Sequence, residues 1–177
     1  MVVHLRESAV GRVVFCDMAP ALVIVDVQNG FLNEHTDHIP RRVVELQEGY
    51  GLVVATRYYN PHGSNHRRLM GWERFSPGSS EIDLAFDPVE GATVLDKSTY
   101  TSVCPRLLEL LDLADVEEVH ICGVDTDICV SATAVGLFDI GRTPVVLKDF
   151  CASHAGEEFH EWGLRILARY IGEKQIR

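Results

Sequence analysis

The 177-residue chain lacks any apolar stretch near the roughly 18 residues that a membrane-crossing helix requires. It also lacks an excess of positive charge. Sixteen Lys and Arg stand against 26 Asp and Glu, a formal net charge of -10. Nucleic-acid binding needs a basic footprint, so that class is excluded, and no Lys/Arg run offers a membrane-surface anchor. The segment Met1–Asp17 has no basic-then-apolar layout of a signal peptide. The five cysteines, at 16, 104, 122, 129 and 151, are odd in number and form no C-x-x-C pair. Neither a disulfide framework nor a zinc knuckle is expected, and a reduced, cytoplasmic setting is. No G-x-G-x-x-G follows an apolar run, which argues against a dinucleotide-binding turn. Internal repeats and low-complexity segments are absent.

What remains is an ordinary globular composition, 46% hydrophobic, in a length that suits one domain over 1–177. Strand-like and helix-like patterns alternate along it. Candidate strands are Leu22–Val27, Leu52–Tyr58, Thr93–Lys97, Glu118–Gly123 and Pro144–Asp149. Between them, Ser102–Leu113 carries Val103, Leu107, Leu110 and Leu111 at helical spacing. In Glu157 to Ile171, Phe159, Trp162, Ile166 and Tyr170 read as a buried stripe. Gly141 is a natural terminator for a helix that continues through Thr133–Phe138. This order predicts an α/β fold: a three-layer α/β/α sandwich around a doubly wound, mostly parallel sheet. The stretch Asn60–Glu90, rich in Pro and Gly, is expected to be a long functional loop or lid.

Three charged or nucleophilic residues stand at strand ends. Asp26 follows the apolar run Ala21–Val25, where a carboxylate needs a partner because an unpaired buried charge is costly. Lys97 ends the strand Thr93–Lys97. Cys129 follows Val119–Cys122 after a polar turn and opens a helical pattern, where unpaired N–H groups and the helix dipole would favour a thiolate. Parallel strands deliver their carboxyl ends to one rim, so the three would meet at one crevice. Each has a plainer reading alone: a strand-end cap or structural ion pair for Asp26, a rim lysine for Lys97, a small buried hydrophobe for Cys129.

The motifs LVIVDVQNGF, DKSTYTSV and GVDTDICVSATA, in this order, resemble those of the isochorismatase-like superfamily of cysteine hydrolases, from about Pro20 to about Ile171. The resemblance implies a catalytic triad of Asp26, Lys97 and Cys129. It implies an oxyanion site made by the N–H groups of Asp125 and Cys129, with a cis peptide between Val124 and Asp125. It also implies a homodimer or homotetramer. The activity expected is hydrolysis of a C–N bond in a small amide, ureido or carbamoyl substrate through a thioester. A vinyl-ether hydrolase of the isochorismatase type and a catalytically silent binding protein are the alternatives.

Nicotinamidase-like members hold a metal through an Asp-x-His after the second strand and a further His. Tyr58 and Asn60 stand at those positions here, so no metal and no cofactor is expected. The pairs His62/His66 and His35/His38 have ligand-like spacing but lie among Asn, Gly and Arg, which reads as solvated loop. Gln28, Phe31, Arg57, Tyr58 and Trp72 are the expected substrate-binding residues. Trp72 and Phe75 would either close over a ligand or pack against another subunit. Arg57 would either clamp a substrate carboxylate or form a structural ion pair.

Overall fold

The computed structural model describes residues 6–7, 13–14 and 19–177. Cys16 and most of Met1–Asp17 lie outside the described residues. Two short strands, β1 (Arg6–Glu7) and β2 (Val13–Val14), pair antiparallel. The main sheet holds β3 (Ala21–Val25), β4 (Val53–Tyr58), β5 (Thr93–Lys97), β6 (Glu118–Val124) and β7 (Thr143–Ala152). All four pairings are parallel, in the order β5-β4-β3-β6-β7. Helices α1 (Ile39–Gln47), α2 (Asn65–Met70), α3 (Pro105–Leu113), α4 (Ser131–Asp139) and α5 (Glu157–Ile171) complete a three-layer α/β/α sandwich.

β3 is central, hydrogen-bonded on both edges and covered on both faces. All five of its residues are fully buried, which is why it reads as an uninterrupted apolar run. From β3 the chain winds outward through β4 to β5, then returns through α3 to place β6 on the other side of β3. The strand order therefore reverses between β3 and β6, and a crevice opens at their carboxyl ends. Gly123 is required there. A Cβ at this position would lie 2.1 Å from the Val25 carbonyl oxygen, and its φ is +114°.

Two expectations fail here. The α5 stripe of Phe159, Trp162, Ile166 and Tyr170 is exposed, at 40% to 60%. The buried face carries Gly163, Leu167 and Ile171 instead. α5 has apolar residues on two faces, and Gly163 decides which one packs. A Cβ on it would come within 2.8 Å of the Asp127 backbone, so only a glycine lets the helix sit against that turn. The stretch after β4 is also no structureless loop. It contains α2, capped by Ser64 accepting from the Arg67 N–H, and a 3-10 turn at Ser80–Ile82. Gln47 ties the remainder to α1 by donating to the Asp87 carbonyl and accepting from the Val89 N–H.

Candidate active site

Asp26 terminates β3 with φ +51°, a left-handed conformation that Asp tolerates better than most residues, and its carboxylate is fully buried. The Lys97 ammonium lies 2.6 Å from its Oδ2. The same ammonium donates to the carbonyls of Thr99 (2.8 Å) and Tyr100 (3.0 Å), so a lysine with 8% exposure has its donors used. The other carboxylate oxygen accepts from the Thr56 hydroxyl at 2.8 Å. Behind Thr56 runs a buried chain of hydroxyls. Thr133 donates to Ser102 (3.1 Å), and Ser102 donates to Thr56 (3.4 Å). Thr133 is one helical turn beyond Cys129, so the chain links the thiol-bearing helix to the carboxylate.

Cys129 sits in a π-type turn, Thr126–Val130, that runs into α4. The Val124–Asp125 peptide before it is cis. Cys129 is 6% exposed and within hydrogen-bonding reach of Asp26. The expectation of a resting thiolate is corrected. Burial pushes the Cys129 thiol well above its ordinary pKa, the Asp26 carboxylate pushes it further, and Lys97 only partly opposes them. The resting group is a thiol that needs a base beside it, which Asp26 is placed to be.

A cavity of about 180 Å³ opens at Cys129. Phe31, Tyr58, His66, Trp72 and Tyr100 supply rings, and Met70 and Ile128 supply aliphatic wall. Asp125 and His154 form its polar edge. The Asp125 carboxylate accepts from the His154 N–H at 2.8 Å and meets His154 Nδ1 at 2.5 Å. This hydrogen bond raises the His154 pKa.

Phe31, Tyr58 and Trp72 line the cavity, whereas Gln28 and Arg57 do not. Gln28 is a buried strut: its amide donates to the carbonyls of Tyr58 and Ile82 and accepts from the Tyr58 N–H. Arg57 precedes Tyr58 on one strand and so points to the opposite face. There it pairs with Asp96, its register partner on β5, through contacts of 2.6 and 3.0 Å. Phe75 is no lid either; it is fully buried, stacked between Phe31 and Trp72.

His35, His38 and His62 are exposed, but His66 is buried in the cavity wall, in edge contact with Tyr58 and Tyr100. Sequence reasoning missed that role because α2 was hidden in a loop-like composition. It also missed His154, which no motif marks. Thr56 and Ser102 carried a weak signal, since each adjoins a residue already singled out.

The isochorismatase domain matches residues 20–174. The chain belongs to the isochorismatase family. A Bacillus subtilis relative described as an uncharacterized isochorismatase family protein, PncA, is 39% identical over 153 residues, covering 84% of this chain and 79% of that protein. The streptothricin hydrolase of Streptomyces noursei is 27% identical over 146 residues, covering 76% of this chain and 50% of that protein. Among solved structures, the zinc complex of Pyrococcus horikoshii pyrazinamidase superposes with a TM-score of 0.74 at 25% identity, covering 90% of this chain and 97% of that one. The N-carbamoylsarcosine amidase of Thermoplasma acidophilum superposes with a TM-score of 0.70 at 24% identity, covering 85% and 94%. As a member of the isochorismatase family, the protein is a hydrolase.

The zinc of the pyrazinamidase structure raises the question whether this isochorismatase-family site fits a metal. The residues after β4 do not. The Asn60 amide donates to the carbonyls of Trp72 and Arg74, and its oxygen accepts from the Ser64 hydroxyl, so the side chain is committed to the fold at both ends. The Tyr58 phenol is pushed up by burial and stays protonated, a poor ligand. Among the described residues, the one cluster with metal-ligand potential is Glu157, His160 and Glu161, at the outer start of α5 and not in the cavity lining.

Proposed function

We propose that the protein is a metal-independent cysteine hydrolase that cleaves a C–N bond of a small amide, ureido or carbamoyl substrate. The observation that carries this reading is the convergence of the Cys129 thiol, which lines one small cavity, with the buried Asp26 carboxylate and its Lys97 partner. Asp26 takes the thiol proton, and the sulfur attacks the carbonyl carbon. A C–S bond forms and the carbonyl π electrons move onto oxygen. The N–H groups of Asp125 and Cys129 are assigned to that oxyanion. As it collapses, the C–N bond breaks and Asp26 returns the proton to the departing nitrogen, which leaves as ammonia or an amine. Asp26 then deprotonates water, the hydroxide attacks the thioester, and the C–S bond breaks with return of the proton to sulfur. Lys97 holds the Asp26 carboxylate in place through their 2.6 Å ion pair. Because the thiol is protonated at rest, its transfer to Asp26 precedes attack.

Metal independence is supported by the donor set around Tyr58 and Asn60. Stoichiometric metal that is lost together with activity on chelation would overturn it. A cytoplasmic setting is supported by the cysteine usage, and no helix among the described residues is long and apolar enough to cross a membrane. The proposal is tested by ammonia release from a panel of small amides, ureido acids, carbamoyl amines and biuret, beside the Cys129→Ala variant. Release by the wild type alone supports it. Equal release by both proteins removes Cys129 as nucleophile.

A further inference from the structure

Cys129 and Asp26 are delivered by the ends of different strands, so their separation depends on how those ends are tied together. Proton transfer between them needs hydrogen-bond reach, and a displacement of about 1 Å can cost on the order of 100-fold in rate. The turn that carries Cys129 is organised by Asp125. Its carbonyl accepts from the N–H groups of Ile128 (3.1 Å) and Val130 (3.0 Å), the two neighbours of Cys129. Asp125 is 3% exposed, and both of its carboxylate oxygens are taken by one residue, His154. The His154 backbone N–H reaches Oδ1 at 2.8 Å, and its Nδ1 reaches Oδ2 at 2.5 Å.

His154 is itself held from the other side of the crevice. Val124 and Ala152 are register partners at the ends of β6 and β7, so Asp125 and His154 leave the sheet close together. From there His154 spans to the segment that follows Asp26. Its carbonyl accepts from the Asn33 side-chain amide at 2.7 Å, and its ring lies 5.6 Å from that of Phe31 between centroids. That segment is braced in turn. The buried Thr36 hydroxyl donates to the Phe31 carbonyl (2.7 Å) and accepts from the Asn33 N–H (3.0 Å). Any residue at 154 could supply the two backbone contacts. Only a side chain with a nitrogen donor on Cγ, as in histidine or asparagine, supplies the contact that Nδ1 makes.

Resting on the amide-hydrolase reading above, we propose that His154 is a positioning residue for that reaction. Acting through the Asp125 carboxylate, it clasps the Cys129 turn to the Asp26 side of the crevice. The clasp keeps sulfur and carboxylate within proton-transfer reach. His154 itself moves no proton and touches no reacting bond. Without it the turn still forms, because the Asp125 carbonyl is untouched, but the turn drifts relative to Asp26. Turnover is then lost while substrate affinity is largely kept.

The test compares the wild type with His154→Leu, His154→Asn, Asp125→Ala and the His154→Leu/Asp125→Ala double variant, on an amide that the wild type cleaves. His154→Leu and Asp125→Ala are each expected to lower kcat per folded molecule about 100-fold, a loss of geometry. KM is expected to stay within about twofold. The double variant is expected to be no worse than either single one, because both cut the same contact. His154→Asn is expected to recover most of kcat. Asp125→Ala severs the contact from the other side and serves if His154→Leu does not fold. A second readout needs no substrate. Iodoacetamide should alkylate Cys129 faster in the folded His154→Leu and Asp125→Ala proteins, because a displaced thiol escapes the burial and the Asp26 carboxylate that hold it protonated. In His154→Asn the rate should return toward that of the wild type. A rise in KM with kcat kept would make His154 a substrate contact and overturn the inference. Losses that multiply in the double variant, an asparagine no better than leucine, or unchanged alkylation would also overturn it. So would a lower melting temperature with kcat per folded molecule unchanged, which would make the pair structural only. A wild type that cleaves no amide sinks the parent reading, and the alkylation comparison then decides this one. A wild type that cleaves amides no faster than His154→Leu sinks this one alone.

Discussion

Lys97 and Asp26 form an ion pair of 2.6 Å between side chains that are 7% and 0% exposed, each brought to the other by a strand end. Burying two charges costs much of what their attraction returns, so the pair is better read as a device for holding an anion in place than as a source of stability. Removing one partner is another matter. Lys97→Met keeps the stem and leaves an uncompensated buried carboxylate. The expected loss is about 3–5 kcal/mol in urea unfolding at pH 7. Hydrolysis by the folded variant is expected to fall at least ~100-fold. Unchanged turnover would remove Lys97 from the machinery.

The Thr133–Ser102–Thr56 chain ends on the Asp26 oxygen that Lys97 does not hold. Ser102→Ala leaves two buried hydroxyls short of a partner. A loss of about 1–3 kcal/mol is expected, with a fall in kcat and little change in KM, because the substrate cavity is not touched. Ser102→Thr is expected to restore part of both. A rise in KM alone would show that the chain does not act through Asp26.

Cys129 is expected to alkylate slowly at pH 7, since burial and then the Asp26 carboxylate hold its thiol pKa high. Asp26→Asn removes the second cause and frees Lys97 to favour the thiolate. Alkylation of the Cys129 peptide, followed by mass spectrometry with iodoacetamide, should therefore speed up while hydrolysis is lost. Cys122 and Cys151, both buried with raised pKa values, should stay silent in the same digest. Fast alkylation of the wild-type thiol would show that it rests as a thiolate.

His154 makes stability depend on pH with a definite sign. Its folded pKa is raised above the ordinary 6.5, first by the hydrogen bond to Asp125, with burial opposing. A raised folded pKa means that stabilisation is full below about 6.5 and fades as pH climbs through the folded value. The urea midpoint of the wild type minus that of His154→Gln should be larger at pH 5.5 than at pH 8.5. The reverse order would contradict the pairing.

The exposed stripe of Phe159, Trp162, Ile166 and Tyr170 is a row of large apolar side chains on one helix. Together with the oligomer that the family resemblance implies, it leads us to propose that a second copy of the chain covers α5. Trp162→Glu is expected to shift the mass measured by light scattering toward the monomer, with hydrolysis per chain retained. A monomeric wild type would refute this.

The sequence by itself determined the strands, because a fully buried parallel strand leaves an unbroken apolar signature that a single dimension can carry. Ala21–Val25 and most of Val53–Tyr58 are legible on that ground, whereas the partly exposed edge strand Thr93–Lys97 is legible as a short strand ending in a charge, and with them comes the rim where Asp26, Lys97 and Cys129 meet. Tertiary structure decided what periodicity cannot express. It set which of two apolar faces of α5 packs, through the close approach of Gly163. It sent Arg57 outward and Tyr58 inward, because neighbours on a strand face opposite ways and only the finished sheet says which side holds the cavity. It also made the Cys129 environment, where burial outweighs the helix terminus and turns an expected thiolate into a thiol. Those outcomes depend on contacts between residues far apart in the chain, and so they became visible only once the sheet had closed around them.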